Sequence, residues 1–325
     1  MVQTMSVLEF NIEDALVEVA KRGAETIGIS LPTGLKRRIF DFVHPFEEIG
    51  CKVVVSGKPC HGGCDIDVEL LERVDVLVHV GHSMVVPLEN VIYIEPRSNV
   101  DVRKCVEESV KYLKGSKIAL TTILQYIHKI DEVVSILENN GFEPLVGSGD
   151  TRISHRGQVL GCNFSAVDKT CDEVLYLGEG GFHPLGIALA TGKRVVVADP
   201  YFGVRVIDTQ ETEKLIRKRY GMIWKSMDAE TFGIIHCTKV GQTRPKVVKH
   251  IHNLCEKCGK KGVVISIDEV SEEIEDFGLD AYVMCGCPRV AIDDSERFSA
   301  PMLTPQEFEI VLGLRKEYEL DEIRG

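Results

Sequence analysis

No stretch of this 325-residue sequence approaches the roughly 18 uninterrupted apolar residues of a membrane span, which argues for a soluble globular protein. Basic charge is also short: 38 Lys and Arg face 50 Asp and Glu, a net charge of −12. That balance disfavours a general role in coating nucleic acid, any polyanion site has to be local, and no membrane partner is expected. The opening segment carries Glu9, Glu13 and Asp14 where a secretory leader would have positive charge followed by an apolar core. A cytoplasmic location is expected. Disulfide density is lacking as well, because 11 cysteines make up only about 3% of the chain, well under the roughly 8–10% of secreted disulfide scaffolds. In a reducing compartment such cysteines point to metal or redox chemistry.

The composition, 44% apolar and 27% charged, is that of an ordinary globular chain long enough for two or three domains. Short β-branched runs alternate with amphipathic stretches, the pattern of an α/β protein with parallel sheets. In the first third the spacing predicts helices over 11–22, 33–48 and 100–114, and strands over 24–30, 52–56, 75–80 and 91–94. The middle third predicts strands over 117–123, 157–162, 173–178 and 194–200 and a helix over 128–141. The last third predicts helices over 211–227, 245–259 and 304–318 and strands over 231–237, 262–268 and 280–286. The strings VLVHVGHS (76–83), VLYLGEGG (174–181) and YVMCGCPR (282–289) share one form, an apolar strand followed by Gly and a polar or reactive turn. Their spacing of about 100 residues suits a triplicated domain rather than a solenoid. The expected units are 1–115, 116–210 and 211–325. Ligands of open α/β sheets sit beyond the carboxyl ends of the strands, so three such units around an axis could direct three loops at one centre.

Each third has a cysteine in such a loop: Cys64 after the strand at 52–56, Cys162 at the end of GQVLGC, and Cys287 in the turn after 280–286. Three thiolates on an iron–sulfur cluster leave one iron open, whereas a closed site takes four protein ligands. Buried free cysteine is also common in cores, and spacing alone does not decide between these readings. Other cysteine signals are weaker. Cys60 and Cys64 form C-x3-C, but Asp67 stands where a radical-enzyme loop needs its third cysteine. Cys255 and Cys258, with His250 and His252 upstream, make half a zinc pattern without a second pair, and read as a surface pair at a helix end. Cys51, Cys105, Cys171, Cys237 and Cys285 read as buried fillers. His79 reads as a packed core histidine, with His82 pointing elsewhere.

The motifs SGKPCHGGCDID (56–67), RGQVLGCNFS (156–165), GEGGFHPLG (178–186), ADPY (198–201), GQTRP (241–245) and CPRVAIDD (287–294) together resemble the diphthamide biosynthesis enzymes, which build the 3-amino-3-carboxypropyl histidine of translation elongation factor 2. The resemblance runs along nearly the whole chain and is to the compact archaeal, homodimeric form. It implies three related parallel-sheet domains around a central 4Fe-4S cluster held by Cys64, Cys162 and Cys287, although His61-Gly62-Gly63-Cys64 replaces the Tyr-Gly-Ala-Cys often found there. It further implies that S-adenosylmethionine is the substrate of a noncanonical radical cleavage releasing methylthioadenosine, fed by a one-electron reductant. Candidate cofactor-binding residues are Gly178, Gly180, Gly181 and His183 after the middle strand, and Arg244, Arg289 and Asp293 for the carboxylate and amine of the transferred group. The basic segments LKRR (35–38) and KLIRKRYG (214–221) are candidate contacts for the protein partner. Rival readings are a Lewis-acid dehydratase similar to quinolinate synthase and a noncatalytic metal-binding subunit.

Overall fold

A computed structural model describes residues 8–325. Three parallel sheets carry the chain. The first holds β2 (Thr26–Ser30), β3 (Lys52–Val55), β4 (Val76–Val80) and β5 (Val91–Ile94), in the order β3-β2-β4-β5. The second holds β7 (Lys117–Thr122), β8 (Glu143–Leu145), β9 (Glu173–Leu177), β10 (Val195–Asp199) and β11 (Gly203–Ile207), in the order β8-β7-β9-β10-β11. The third holds β12 (Thr231–Cys237), β13 (Lys261–Ile267), β14 (Ala281–Met284) and β15 (Met302–Leu303), in the order β13-β12-β14-β15. Each of these three sheets therefore runs second, first, third, fourth, and among their described strands only β11 is antiparallel to its neighbour. A small antiparallel pair joins β1 (Leu8–Phe10) to β6 (Pro96–Ser98).

The repeated order has a repeated physical cause. Asp75, one residue before β4, accepts from the Thr26 backbone N–H and hydroxyl, each at 2.7 Å, and so fixes the start of β2. Asp280 before β14 does the same for Thr231 at the start of β12, at 2.8 and 2.7 Å. Asp172 before β9 takes the backbone N–H groups of Ser116 and Lys117 at the start of β7, both at 2.8 Å. In all three sheets one carboxylate locks the two central strands in register by charge-assisted hydrogen bonds. Their helices are α1 (Ile12–Arg22), α2 (Ile39–Glu48), α3 (Val68–Leu71), α4 (Arg103–Ser109), α5 (Ile130–Asn139), α6 (Phe182–Thr191), α7 (Thr209–Lys225), α8 (Pro245–Lys257), α9 (Pro288–Ile292) and α10 (Pro305–Val311).

Packing follows the apolar spacing. Ile12, Ala15, Leu16 and Val19 line one face of α1, Asn11 caps its start, and Gly23 in the left-handed region ends it. That face meets Ile27, Ile29 and Val78 together with Phe42 and Phe46 of α2, which are almost wholly buried. Each such side chain contributes about 1.5–3 kcal/mol of hydrophobic stabilisation. β4, β9 and β10 are buried along their whole length because both faces of their sheets are covered, so they read as continuous apolar runs. Helix α4 precedes the second sheet in sequence yet packs its Val102, Cys105 and Val106 against Leu175 and Val196 there.

Several expectations are corrected. Residues 157–162 form no strand: Thr122 and Gln158 make a lone bridge, and Leu160 bonds back to Asn163 in a tight turn. Residues 33–38 are a 3₁₀ turn before α2, and the last helix stops at Val311, where 318 was expected. No helix was expected between the strands at 173–178 and 194–200, yet α6 fills that interval, and its Pro184 sits in the first turn of the helix, where its missing N–H is harmless. KLIRKRYG lies on α7, and its Arg219 is fully buried, not a contact surface. Arg219 donates to Glu307 at 2.7 and 2.6 Å and to the carbonyls of Ala291 and Met302, pinning α7 to α9, β15 and α10. No helix among the described residues is long and apolar enough to cross a membrane.

Candidate functional site

The carboxyl ends of the strands in all three sheets open into one cavity of about 580 Å³, a size that suits a small-molecule ligand. The turn after β4 supplies Gly81 and His82, the turn after β7 supplies Ile123 and Gln125, and the loop after β12 supplies Lys239 and Gln242. Cys64, Cys162 and Cys287 all line it, one from a loop in the span of each sheet, and Cys237 at the end of β12 lines it as well. Cys64 lies in the loop between β3 and α3, Cys162 in the tight turn before β9, and Cys287 immediately before α9.

Two of the three cysteines are held by contacts outside their own sheet or turn. Gly241 N–H donates to the Cys64 carbonyl at 3.1 Å, and Gln242 Nε2 approaches the Cys64 Sγ at 3.4 Å. Ile323 N–H donates to the Cys162 carbonyl at 2.8 Å, while Asn163 Nδ2 donates to the Ile323 carbonyl at 2.9 Å. Residues near the C-terminal end thereby strap the Cys162 turn. Burial pushes the Cys162 thiol up to about 12, with the Cys287 and Cys64 sulfurs adding to the shift. Burial likewise pushes Cys287 up to about 11, with Cys64 again contributing. Cys64 is raised by burial against the opposing pull of Gln242. Burial thus disfavours the thiolate form at all three positions, and a cationic metal centre supplies the positive charge that would offset it.

The spacing speaks to the kind of centre. Tetrahedral ligands at zinc–sulfur bonds of about 2.3 Å would lie about 3.8 Å apart. Among the described residues, the groups whose ligand atoms lie within 4.8 Å of one another are Cys60–His79–His82 and His61–Asp65–Glu269, and the three central cysteines are not such a group. They fit a larger cluster better than a single ion.

The other candidates divide. Arg289 lines the cavity, stacks its guanidinium 3.8 Å over the Phe182 ring and donates from Nε to Asp293 at 2.9 Å. Asp293 also lines the cavity; burial raises its pKa while Arg289 opposes. His183 lines it too, stacked against Tyr176, and burial followed by the Arg289 charge lowers it to about 4, so it is neutral near pH 7. Gly178 and Gly180, at φ 147° and 77°, shape the turn from β9 toward α6 and do not line the central cavity. Gly181 borders a neighbouring cavity of about 290 Å³, which Arg289 and Asp293 share. Arg244 does not reach the central cavity: it is paired bidentately with buried Asp321 at 2.6 and 2.9 Å. Its guanidinium ties the start of α8 to the C-terminal residues.

Sequence reasoning did not find Arg152, Lys239 or Gln242, all of which line the cavity. Arg152 donates to the Gly241 carbonyl at 2.8 Å, and Lys239 bridges Asp65 at 2.9 Å and Glu269 at 2.5 Å. They lie on loops without periodicity, and only the GQTRP string hinted at one of them. Among the other cysteines, Cys51, Cys105, Cys171, Cys237 and Cys285 are buried as expected. Cys255 is fully buried and Cys258 exposed, so they are not a surface pair, and His250 is paired with Glu309. His79 is buried, but His82 does not point elsewhere. Gly81, at φ 92°, turns the chain back and brings His82 Nδ1 to 3.1 Å from His79 Nε2.

Three like-ordered α/β sheets that bring Cys64, Cys162 and Cys287 from their loops to a shared cavity define a metal-binding protein of repeated architecture. The chain belongs to the diphthamide synthesis family: the family model described as "Putative diphthamide synthesis protein" matches residues 31–324. It is 41% identical over 319 residues to the 2-(3-amino-3-carboxypropyl)histidine synthase of Pyrococcus horikoshii, covering 96% of this chain and 93% of that one. Subunit 1 of the Schizosaccharomyces pombe synthase is 28% identical, over 92% of this chain and 72% of its own length. The crystal structure of Dph2 from Pyrococcus horikoshii with a 4Fe-4S cluster superposes with a TM-score of 0.91 at 41% identity, covering 98% of this chain and 94% of that chain.

Proposed function

We propose that this chain is a 2-(3-amino-3-carboxypropyl)histidine synthase, moving the aminocarboxypropyl group of S-adenosylmethionine to a histidine of translation elongation factor 2. The observation that carries this reading is the meeting of Cys64, Cys162 and Cys287, one per sheet, in a single cavity. These three residues would hold a 4Fe-4S cluster, which supplies an electron at an iron without a protein ligand. The overall change breaks the sulfonium's bond to the aminocarboxypropyl carbon, releases methylthioadenosine, and joins that carbon to imidazole C2, whose hydrogen leaves as a proton together with the electron taken up at cleavage.

The chain's own work is positioning, because the substrate has three carbon–sulfur bonds and the residues that orient the sulfonium would decide which of them is cleaved. Arg289 suits the substrate carboxylate: stacking on Phe182 and the bond to Asp293 fix its guanidinium plane. Asp293 acts through Arg289 and presents its carboxylate toward the substrate amine. Neutral His183 adds an uncharged wall that does not repel the sulfonium. Gly178, Gly180 and Gly181 shape the α6 approach, and Arg244 serves at a distance by anchoring Asp321. The three units of the chain each give one thiol, with the first ending ahead of α4. The chain acts as a homodimer in the cytoplasm, takes its electron from a one-electron reductant, and docks the elongation factor at the cavity mouth.

The test is anaerobic reconstitution with iron and sulfide, then dithionite reduction with S-adenosylmethionine and the elongation factor, read by mass spectrometry. Methylthioadenosine and an aminocarboxypropyl mass on one histidine are expected, with iron and product both lost on Cys64→Ala, Cys162→Ala or Cys287→Ala. Deoxyadenosine with methionine would refute the bond assignment. No consumption of S-adenosylmethionine by the cluster-loaded protein would refute the reading as a whole.

A further inference from the structure

Beside the central cavity, and separate from its three cysteines, stands a second group of soft ligands. Cys60 Sγ lies 3.8 Å from His79 Nε2 and 3.8 Å from His82 Nδ1, and the two nitrogens are 3.1 Å apart. Tetrahedral zinc with bonds of about 2.3 Å to sulfur and 2.05 Å to nitrogen separates sulfur from nitrogen by about 3.6 Å and nitrogen from nitrogen by about 3.3 Å. The three separations here match one face of that tetrahedron to within a few tenths of an ångström. Cys60 and His79 are almost wholly buried, at 3% and 0% exposure, and His82 is half-buried.

The arrangement is built by the fold. His79 is fixed on β4 between β2 and β5, the glycine turn at 81 swings His82 back over it, and the loop after β3 lays Cys60 across both. The neighbouring trio of His61, Asp65 and Glu269 is different, because the Lys239 ammonium already bridges its two carboxylates. A cationic side chain in that position excludes a metal ion. No ammonium or guanidinium bonds to Cys60, His79 or His82 among the described residues.

We infer that Cys60, His79 and His82 form a second metal site, for a thiophilic divalent ion of the zinc type, with the fourth position left to water. Of the three only His82 lines the central cavity, so the ion sits in the cavity wall behind His82 and not among the cluster cysteines. Binding replaces the Cys60 thiol proton with the ion and releases that proton to solvent. The inference is independent of the proposed transferase activity, since the ligands are not shared.

The experiment uses the full-length chain carrying Cys64→Ala, Cys162→Ala and Cys287→Ala, so that the central site cannot compete. Zinc is loaded, excess is removed by dialysis, and metal per chain is measured by mass spectrometry. Cobalt in place of zinc reports thiolate ligation through its charge-transfer absorption. One ion per chain is expected, with affinity falling at least tenfold on adding either Cys60→Ser or His82→Gln, and the cobalt–thiolate band lost with Cys60→Ser. His82→Gln is the second variant because its half-exposed position tolerates change, and circular dichroism checks that each variant is folded. Retention of no zinc, or of zinc that both substitutions leave unchanged, would overturn the site and leave a hydrogen-bonded histidine pair.

Discussion

Replacing Gly241 with alanine should empty the central site while leaving the sheets intact. An added Cβ would lie 2.4 Å from Cys64 Cα, 2.5 Å from Cys64 Cβ and 2.7 Å from its carbonyl oxygen. Carbon atoms rest at about 3.5 Å or more, so the loop must retreat by about 1 Å. Backbone, not a flexible side-chain end, occupies the space, so the strain cannot be relieved by a rotamer change. The retreat also pulls on the bond from Gly241 to the Cys64 carbonyl, the Gln242 contact with its sulfur, and the bond from Arg152 to the Gly241 carbonyl. Overpacking of this kind costs about 1–3 kcal/mol. A misplacement of about 1 Å in a site that works by positioning costs on the order of a hundredfold in rate. Iron and acid-labile sulfide per chain, methylthioadenosine formation and denaturant unfolding read the three consequences separately. Iron content and turnover equal to the parent's would refute the claim that this glycine sets the position of Cys64.

Gly221→Ala on α7, where an added methyl meets nothing within 4 Å, should raise stability by about 0.5–1 kcal/mol and leave iron content unchanged; a loss of stability in urea would contradict it. Arg219→Met strands the buried Glu307 carboxylate and should cost about 3–5 kcal/mol in the same assay, with most of it restored by adding Glu307→Leu; a near-neutral single substitution would refute that role for the pair. His183 has a folded pKa near 4, below its unfolded value of about 6.5. The unfolded chain therefore takes up the extra proton between those values, and stability falls as pH drops through that window. His183→Phe should flatten this part of the pH dependence, and an unchanged slope in urea titrations at pH 7 and pH 5 would exclude His183 as its source.

The parallel sheets were legible in the sequence because their central strands are buried on both faces. VLVHV, EVLYL and AYVM stand out as unbroken apolar runs, and their spacing of about 100 residues correctly marked equivalent strands. The device that aligns them was overlooked, although its signal was present as Asp75, Asp172 and Asp280, each one residue ahead of such a run. The short edge strands β1, β6, β8, β11 and β15 escaped notice because two to five residues with one pairing neighbour carry little periodicity. At the site, cysteine chemistry and the family motifs pointed to Cys64, Cys162 and Cys287, which line the cavity, whereas Cys237, read as a filler, lines it too. Arg152, Lys239 and Gln242 were invisible because their partners, such as Gly241 and Asp65, are distant in sequence. Period-two alternation separated His79 from His82, but Gly81 interrupts the strand between them, and alternation has no meaning across a left-handed turn.

The strap on the Cys162 turn sets an order of events during synthesis. Asn163 reaches its partner Ile323 across 160 positions of sequence, and Asp321 closes on Arg244 from the same segment. At about 5–20 residues per second, a ribosome needs on the order of 10 s to deliver those positions after it has made Cys162. Until then the turn lacks the N–H that steadies its carbonyl, and the third sheet, which carries Cys287, is still incomplete. The first two thiols thus wait in a half-built cavity, and the strap makes full metal occupancy a late event, after all three sheets exist.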